Sequence, residues 1–216
     1  MSRRGCLVVL EGLDGAGTTT QAARLAGRLR LAGRRVTLTR EPSDGQIGQL
    51  LREVLRRGPR PGKRSLSDAT LALLFAADRL EHVASTIAPA LARGAVVVSD
   101  RYVLSSLAYQ GRVLGRAWVE SLNALAPAPD LTLFLEVRPA VAAARRRGRG
   151  SRRERFEDAR TQREVGRAYA SLVARHAQGH HIRTLDGERS VAEVGAEVEA
   201  AVAALLARRR ARPGLG

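Results

Sequence analysis

Five short runs along the chain favour extended backbone: Leu7–Leu10, Arg35–Thr39, Ala95–Val98, Leu131–Leu135 and His181–Leu185. Three of them are almost uniformly apolar, as expected of strands buried on both faces of a parallel sheet. Between the runs, apolar residues recur at helical spacing. Ala22, Leu25, Ala26 and Leu29 form one such set, and Ile47, Leu50, Leu51, Val54 and Leu55 the next. Val165, Tyr169, Leu172 and Val173 follow, then Val191, Val194, Val198, Val202 and Leu205. Each set lines one side of a helix and leaves the other to water. The alternation predicts a doubly wound, three-layer α/β domain on a five-stranded parallel sheet. Two stretches break the pattern. Arg56 to Lys63, with Gly58, Pro59, Pro61 and Gly62, reads as a mobile loop, and Arg145 to Arg155 is an arginine run broken by Gly148 and Gly150. Residues 208–216 are expected to be a flexible tail, leaving 1–207 as one domain.

Directly after the first run stands Gly12-Leu13-Asp14-Gly15-Ala16-Gly17-Thr18-Thr19, followed by Thr20. Two glycines five apart, between a strand and a helix, make the Walker A frame, in which backbone N–H groups cradle phosphate oxygens. Thr19 keeps the hydroxyl that ligates Mg²⁺ in such loops. The lysine position, however, holds Thr18. A hydroxyl there replaces a full positive charge, and one lost preorganised donor costs about 10²–10³ in rate. A Gly-rich turn with a capping threonine is the other use of such a segment. Asp100 ends the third run, where a carboxylate beside the loop orders the water shell of a magnesium ion or simply caps a helix.

Charge widens the range of partners and composition narrows it again. The formal net charge is +16, and Lys63 is the one lysine. Clustered arginine suits nucleic acid through counterion release, but at 3% aromatics the chain lacks a stacking platform for bases. Arginine forks grip small phosphates equally well, so nucleic acid is not the expected partner. Cys6 alone closes no intrachain disulfide, and the four apolar residues after it are too few for a signal sequence. No apolar run approaches the ~20 residues that span a bilayer. A cytoplasmic protein without a membrane partner is expected.

Four motifs occur in order: Glu11 to Gln21; Thr39-Arg40-Glu41-Pro42; Leu74-Phe75-Ala76-Ala77-Asp78-Arg79; and Asp100-Arg101-Tyr102 continuing to Ser105-Ser106-Leu107-Ala108-Tyr109-Gln110. On these the chain resembles the thymidylate kinases, from about Leu7 to Val198. The resemblance implies a P-loop kinase fold, phosphoryl transfer from Mg²⁺-ATP to dTMP, and a homodimer. It puts Phe75 on the thymine ring and Arg79 at a base carbonyl. Ser106 meets the base edge, with Glu41, Pro42 and Gln110 in the same pocket, while Tyr109 lies under the sugar and disfavours a 2′-hydroxyl. Asp14 holds the 3′-hydroxyl. Arg52 and Arg101 grip the dTMP phosphate, and Arg101 also reaches the transferring group. Residues 145–156 correspond to a mobile arginine-rich lid, with Arg145 stacked on adenine.

Some members carry an arginine in the phosphate loop where this chain has Gly15. The resemblance is therefore to members whose catalytic arginine comes from the lid, which makes Arg149 and Arg153 the candidates to replace the missing lysine charge. Taken singly, the same residues have plainer uses. Phe75 and Tyr109 serve as filler, Arg79 as a solvated charge beside Asp78 or Glu81, and the arginine run as a solvated basic loop. A catalytically weak nucleotide-binding or regulatory protein, or a nucleic-acid binder, are the competing functions.

Overall fold

The computed structural model describes residues 5–57, 66–148, 156, 158–176 and 182–211. Strand β1 (Cys6–Gly12) leads through the glycine loop into helix α1 (Thr18–Leu31), followed by β2 (Val36–Arg40), α2 (Gln46–Arg57) and α3 (Asp68–His82). A π-helical turn (Val83–Ile87) joins α3 to α4 (Ala88–Ala92). Then come β3 (Val96–Asp100), three short helices α5 (Val103–Tyr109), α6 (Gly111–Leu114) and α7 (Arg116–Leu122), and β4 (Leu131–Glu136). The chain closes with α8 (Pro139–Arg147), α9 (Ala159–His176), β5 (Ile182–Asp186) and α10 (Val191–Ala211).

All strand pairs are parallel, in the order β2-β3-β1-β4-β5. Burial explains the apolar runs: every residue of β1 and β3 is buried, whereas the edge strands β2 and β5 are largely half-buried or exposed. The expected three-layer fold is present. Ala22, Leu25 and Ala26 of α1 face the core, as do Val165, Tyr169 and Leu172 of α9 and Val194, Val198, Val202 and Leu205 of α10. The register sets Leu10 beside Asp100 and Gly12 beside Leu135. The glycine loop therefore leaves the carboxyl edge of the sheet where the connections part to opposite sides, the usual place for a ligand crevice in such folds.

Three features depart from the sequence reading. The α10 helix runs through Ala211, because Arg209 pairs with Asp130 and donates to the Gly5 carbonyl at 3.0 Å, so Arg208 to Ala211 are helical rather than tail. Arg56 and Arg57 end α2 rather than open a loop, and residues 58–65 lie outside the described ones. The arginine run begins inside α8, which holds Arg145, Arg146 and Arg147. Helix α8 also rests on the glycine loop: a Cβ at Gly15, where φ is +93°, would stand 2.4 Å from the Ala142 carbonyl oxygen. The neighbouring helix thus excludes any side chain at position 15. Among the described residues, no helix is long and apolar enough to cross a membrane.

Candidate active site

At the glycine loop, Gly15 and Gly17 take φ values of +93° and +100°, which a side chain would strain. Gly17 caps α1 without a side-chain hydrogen bond, which leaves the first-turn N–H groups and the positive end of the helix open to an anion. Thr18 starts the helix and is buried. Next to it, Thr19 Oγ1 donates to Asp100 Oδ2 at 2.5 Å, while Asp100 Oδ1 is buried with no partner. Hard oxygen donors of this kind, one carboxylate and one hydroxyl, suit Mg²⁺ completed by substrate phosphates and water. The described residues hold no group of three or more His, Cys, Asp and Glu that could hold a metal without a substrate.

Cations reach the loop from α8. Arg146 donates to the Asp14 carbonyl, and Arg145 to the Gly187 carbonyl at 2.8 Å and the Ala16 carbonyl at 3.4 Å. Arg145 and Arg189 line a cleft on this side of the loop with Gly15, Gly17, Gln21 and Gly187. Arg149 and Arg153 lie outside the described residues.

On the loop's other side, Asp14 is the point where four elements meet. Its Oδ1 accepts from Arg101 Nη2 at 2.7 Å; its Oδ2 accepts from the Tyr109 hydroxyl at 2.8 Å and from Gln162 Nε2 at 3.0 Å. Arg101 holds a left-handed φ of 73°, rare for a residue with a Cβ, and its Nη1 donates to the Gly12 carbonyl at 3.1 Å. Its guanidinium also sits 5.7 Å from the centre of the Tyr109 ring. Burial, with the Asp14 charge beside it, pushes the Tyr109 phenol above its ordinary range, so it remains a donor. Phe156 meets Tyr109 edge-on at 5.9 Å, and Gln162 Nε2 donates to its carbonyl at 2.8 Å.

Beyond Asp14 a cavity of about 170 Å³ extends between Phe75, Arg79, Tyr102, Tyr109 and Phe156. Glu41, Pro42, Ser106 and Gln110 also line it. Arg79 is 1% exposed and is no solvated charge. Its Nε donates to Glu41 Oε2 at 2.8 Å, its Nη2 to Ser106 Oγ at 3.1 Å and its Nη1 to Asn123. Glu41 also meets His82 Nδ1 at 3.2 Å, and the other ring nitrogen lies 2.6 Å from Thr39 Oγ1. Asp78 turns away from Arg79 and accepts from the Ser43 backbone N–H at 2.8 Å and hydroxyl at 2.5 Å, fixing the segment after Pro42. Two polar atoms of cavity-lining residues, the Tyr102 hydroxyl and Gln110 Oε1, are buried without a partner. Such atoms are costly to leave unpaired and mark a place where a polar ligand is expected.

Of the residues singled out in the sequence, the structure gathers Asp14, Glu41, Pro42, Phe75, Arg79, Arg101, Ser106, Tyr109 and Gln110 around this cavity. Arg52 is the exception. Its Nη1 donates to the Pro42 carbonyl at 2.7 Å and to the Ser43 carbonyl, so it ties α2 to the Pro42 segment. Sequence reasoning missed Gln162 and Phe156, and read Tyr169 only as core. Gln162 and Tyr169 are seven residues apart on α9, one face of the helix, and that polar pair on an inward face was the available signal.

Comparison with known proteins adds independent information. A family model described as "Thymidylate kinase" matches residues 10–198. The chain is 42% identical over 201 residues to the "Probable thymidylate kinase" of Pyrococcus abyssi (strain GE5 / Orsay), covering 92% of this chain and 96% of that one. It is 40% identical over 200 residues to the "Thymidylate kinase" of Bifidobacterium longum (strain NCC 2705), covering 90% and 96%. With the "Thymidylate kinase" of Ruegeria pomeroyi (strain ATCC 700808 / DSM 15171 / DSS-3) it shares 39% over 216 residues, covering 97% and 100%.

Proposed function

The chain belongs to the thymidylate kinase family, and from that premise we infer that it transfers the γ-phosphoryl group of ATP to dTMP, releasing dTDP and ADP. The observation that carries this reading is the position of Asp14. It lies within the phosphate loop, yet its carboxylate belongs to the cavity on the acceptor side, so the loop that holds a donor's phosphates also anchors an acceptor.

We propose the following roles, carried over from the family resemblance onto the residues gathered at the cavity. Phe75 stacks on the thymine ring. Arg79 Nη1 carries a second N–H with no partner among the described residues, and this donor meets a base carbonyl. Ser106 and Gln110 take the remaining base edge. Tyr109, locked onto Asp14, crowds the 2′ position, and Asp14 accepts the 3′-hydroxyl. Arg101 stands between the two phosphates, where it offsets their mutual repulsion. Thr19 and Asp100 hold Mg²⁺, which when bound neutralises charge on the donor phosphates. From the family resemblance we assign residues 145–156 to the lid, of which 149–155 lie outside the described residues, and Arg145 to the donor's base. We propose that arginines of this lid, Arg149 and Arg153 first, replace the charge missing at Thr18. The occupied space over Gly15 supports delivery from the lid side, because an arginine on the loop itself has no room there.

Two further features fit the remaining assignments. Leu73 and Leu80, seven residues apart along α3, are 51% and 37% exposed, and Leu66 just before the helix is 37% exposed; this apolar surface suits pairing with a second copy of the chain. We propose a homodimer on this face. We place the protein in the cytoplasm, where the buried Cys6 stays a thiol.

A coupled assay of ADP release with Mg²⁺-ATP and a panel of monophosphates tests the activity. The highest kcat/KM is expected with dTMP, a lower one with dUMP and little turnover with purine monophosphates; a purine preferred over dTMP contradicts the assignment, and binding of both nucleotides without turnover favours the weak-binder reading. For Thr18, Arg149→Ala or Arg153→Ala is expected to lower kcat by about 10²-fold, and Thr18→Lys to restore much of that in the double variant. A hundredfold gain from Thr18→Lys alone would show that nothing compensates for the missing lysine. Sedimentation equilibrium should give twice the 23.2 kDa chain mass, reduced to the monomer by Leu73→Glu; a wild-type monomer excludes the dimer.

A further inference from the structure

Glu11, next to last in β1, is 0% exposed and takes no part in the roles above. Its Oε1 accepts from the backbone N–H groups of Tyr102 at 2.9 Å and Ser105 at 3.1 Å. Its Oε2 accepts from Ser105 Oγ at 2.6 Å and from the Tyr169 hydroxyl at 3.0 Å. The same two hydroxyls face Arg101, whose Nη1 lies 3.1 Å from Ser105 Oγ and 3.5 Å from the Tyr169 oxygen. Arg101 in turn bonds Asp14 and lines the acceptor cavity.

Each hydroxyl has one proton to give, and Ser105 Oγ and the Tyr169 oxygen also lie 2.9 Å from each other. With Glu11 ionised, both protons point to Oε2, and both oxygens, polarised by the carboxylate charge, turn their lone pairs toward Arg101. With Glu11 protonated, its own O–H donates to one hydroxyl, whose proton turns to the other. The hydroxyls then bond among themselves, and the negative charge that draws the Arg101 guanidinium to this end of the chain is gone. The state of one buried carboxylate therefore decides how firmly the Arg101 fork is held.

We infer that Glu11 is a positioning residue for Arg101, acting through the hydroxyls of Ser105 and Tyr169. This rests on the kinase reading, in which Arg101 serves the reaction. Burial pushes the Glu11 carboxyl up to about 7, against the pull of the Ser105 bonds, the Arg101 charge and Tyr169. The groups facing it are Arg101 from the end of β3 and Tyr169 from α9, with Asp14 and Tyr109 beyond Arg101, while its register neighbour on β4 is the apolar Phe134. The ionised form is the competent one, so activity rises with pH through the neutral range.

Glu11→Gln tests this in the intact enzyme. The glutamine carbonyl can keep both backbone N–H bonds, while its NH₂ donates to the hydroxyls and imitates the protonated acid. Wild-type kcat for dTMP is expected to rise about tenfold between pH 6 and pH 8, as for a single ionisation near neutrality. The second ionisation of the dTMP phosphate, near pH ~6, occurs in both proteins and cancels in the comparison. Glu11→Gln is expected to lie about tenfold below wild type at pH 8, with this rise removed and the ATP KM unchanged, because it holds the state of the protonated wild type at every pH. A variant with the wild-type rate and profile overturns the inference. Should Glu11→Gln fail to melt cooperatively, Ser105→Ala and Tyr169→Phe decide: each lowers kcat and shifts the acid limb if the link exists, and wild-type behaviour in both overturns it. Calorimetry with dTMP separates the two levels, because a wild-type protein that binds no dTMP overturns the kinase reading and this inference with it. Binding and turnover by wild type with an unchanged Glu11→Gln overturns this inference alone.

Discussion

The ion pair between Asp14 and Arg101, 2.7 Å across and largely shielded from solvent, is the contact on which the site depends. It joins the phosphate loop after β1 to the end of β3, two segments brought together by the Leu10–Asp100 register. Arg101 accepts a left-handed backbone for this contact, a strain of about 1–3 kcal/mol that only a well-determined surrounding sustains. The surrounding supplies it through Tyr109 and Gln162 on the carboxylate side and Ser105, Tyr169 and the Gly12 carbonyl on the guanidinium side. Helices α5 and α9 are thereby tied to the loop.

A second polar assembly lies beneath the base cavity. Arg79, Glu41 and His82 are each at most 6% exposed and satisfy one another with Ser106, Asn123 and Thr39. Removing one partner of a buried pair like Arg79–Glu41 costs about 3–5 kcal/mol because the other charge is left unpaired. Such an assembly is a poor way to gain stability but a good way to hold one donor rigidly at the rim of a cavity. A ligand lacking a matching acceptor leaves such a donor unsatisfied, which is the physical basis of selectivity at a site of this kind.

The strands and the loop were legible in the sequence because both are local signals: uniformly apolar runs, and glycines at positions that demand positive φ. Helix α3 was not found by periodicity, since its inward face carries Asp78, Arg79 and His82 among the apolar residues. The family motifs located most of the residues lining the cavity, yet they could not show that Arg79 is held by Glu41 and Asn123 rather than solvated, or that Arg52 bonds the Pro42 carbonyl. Gln162 and Glu11 stayed hidden for another reason. Their roles arise only from long-range packing, with 148 residues separating Gln162 from Asp14 and 94 separating Glu11 from Ser105.

Isothermal titration of ATP and of dTMP into wild type and Asp14→Ala tests most directly whether Asp14, though part of the phosphate loop, serves the acceptor. Loss of a charged hydrogen-bond partner is expected to weaken dTMP by about tenfold or more while ATP affinity changes by less than about threefold. Collapse of ATP binding in a variant that still melts cooperatively, or dTMP affinity equal to wild type, would contradict it.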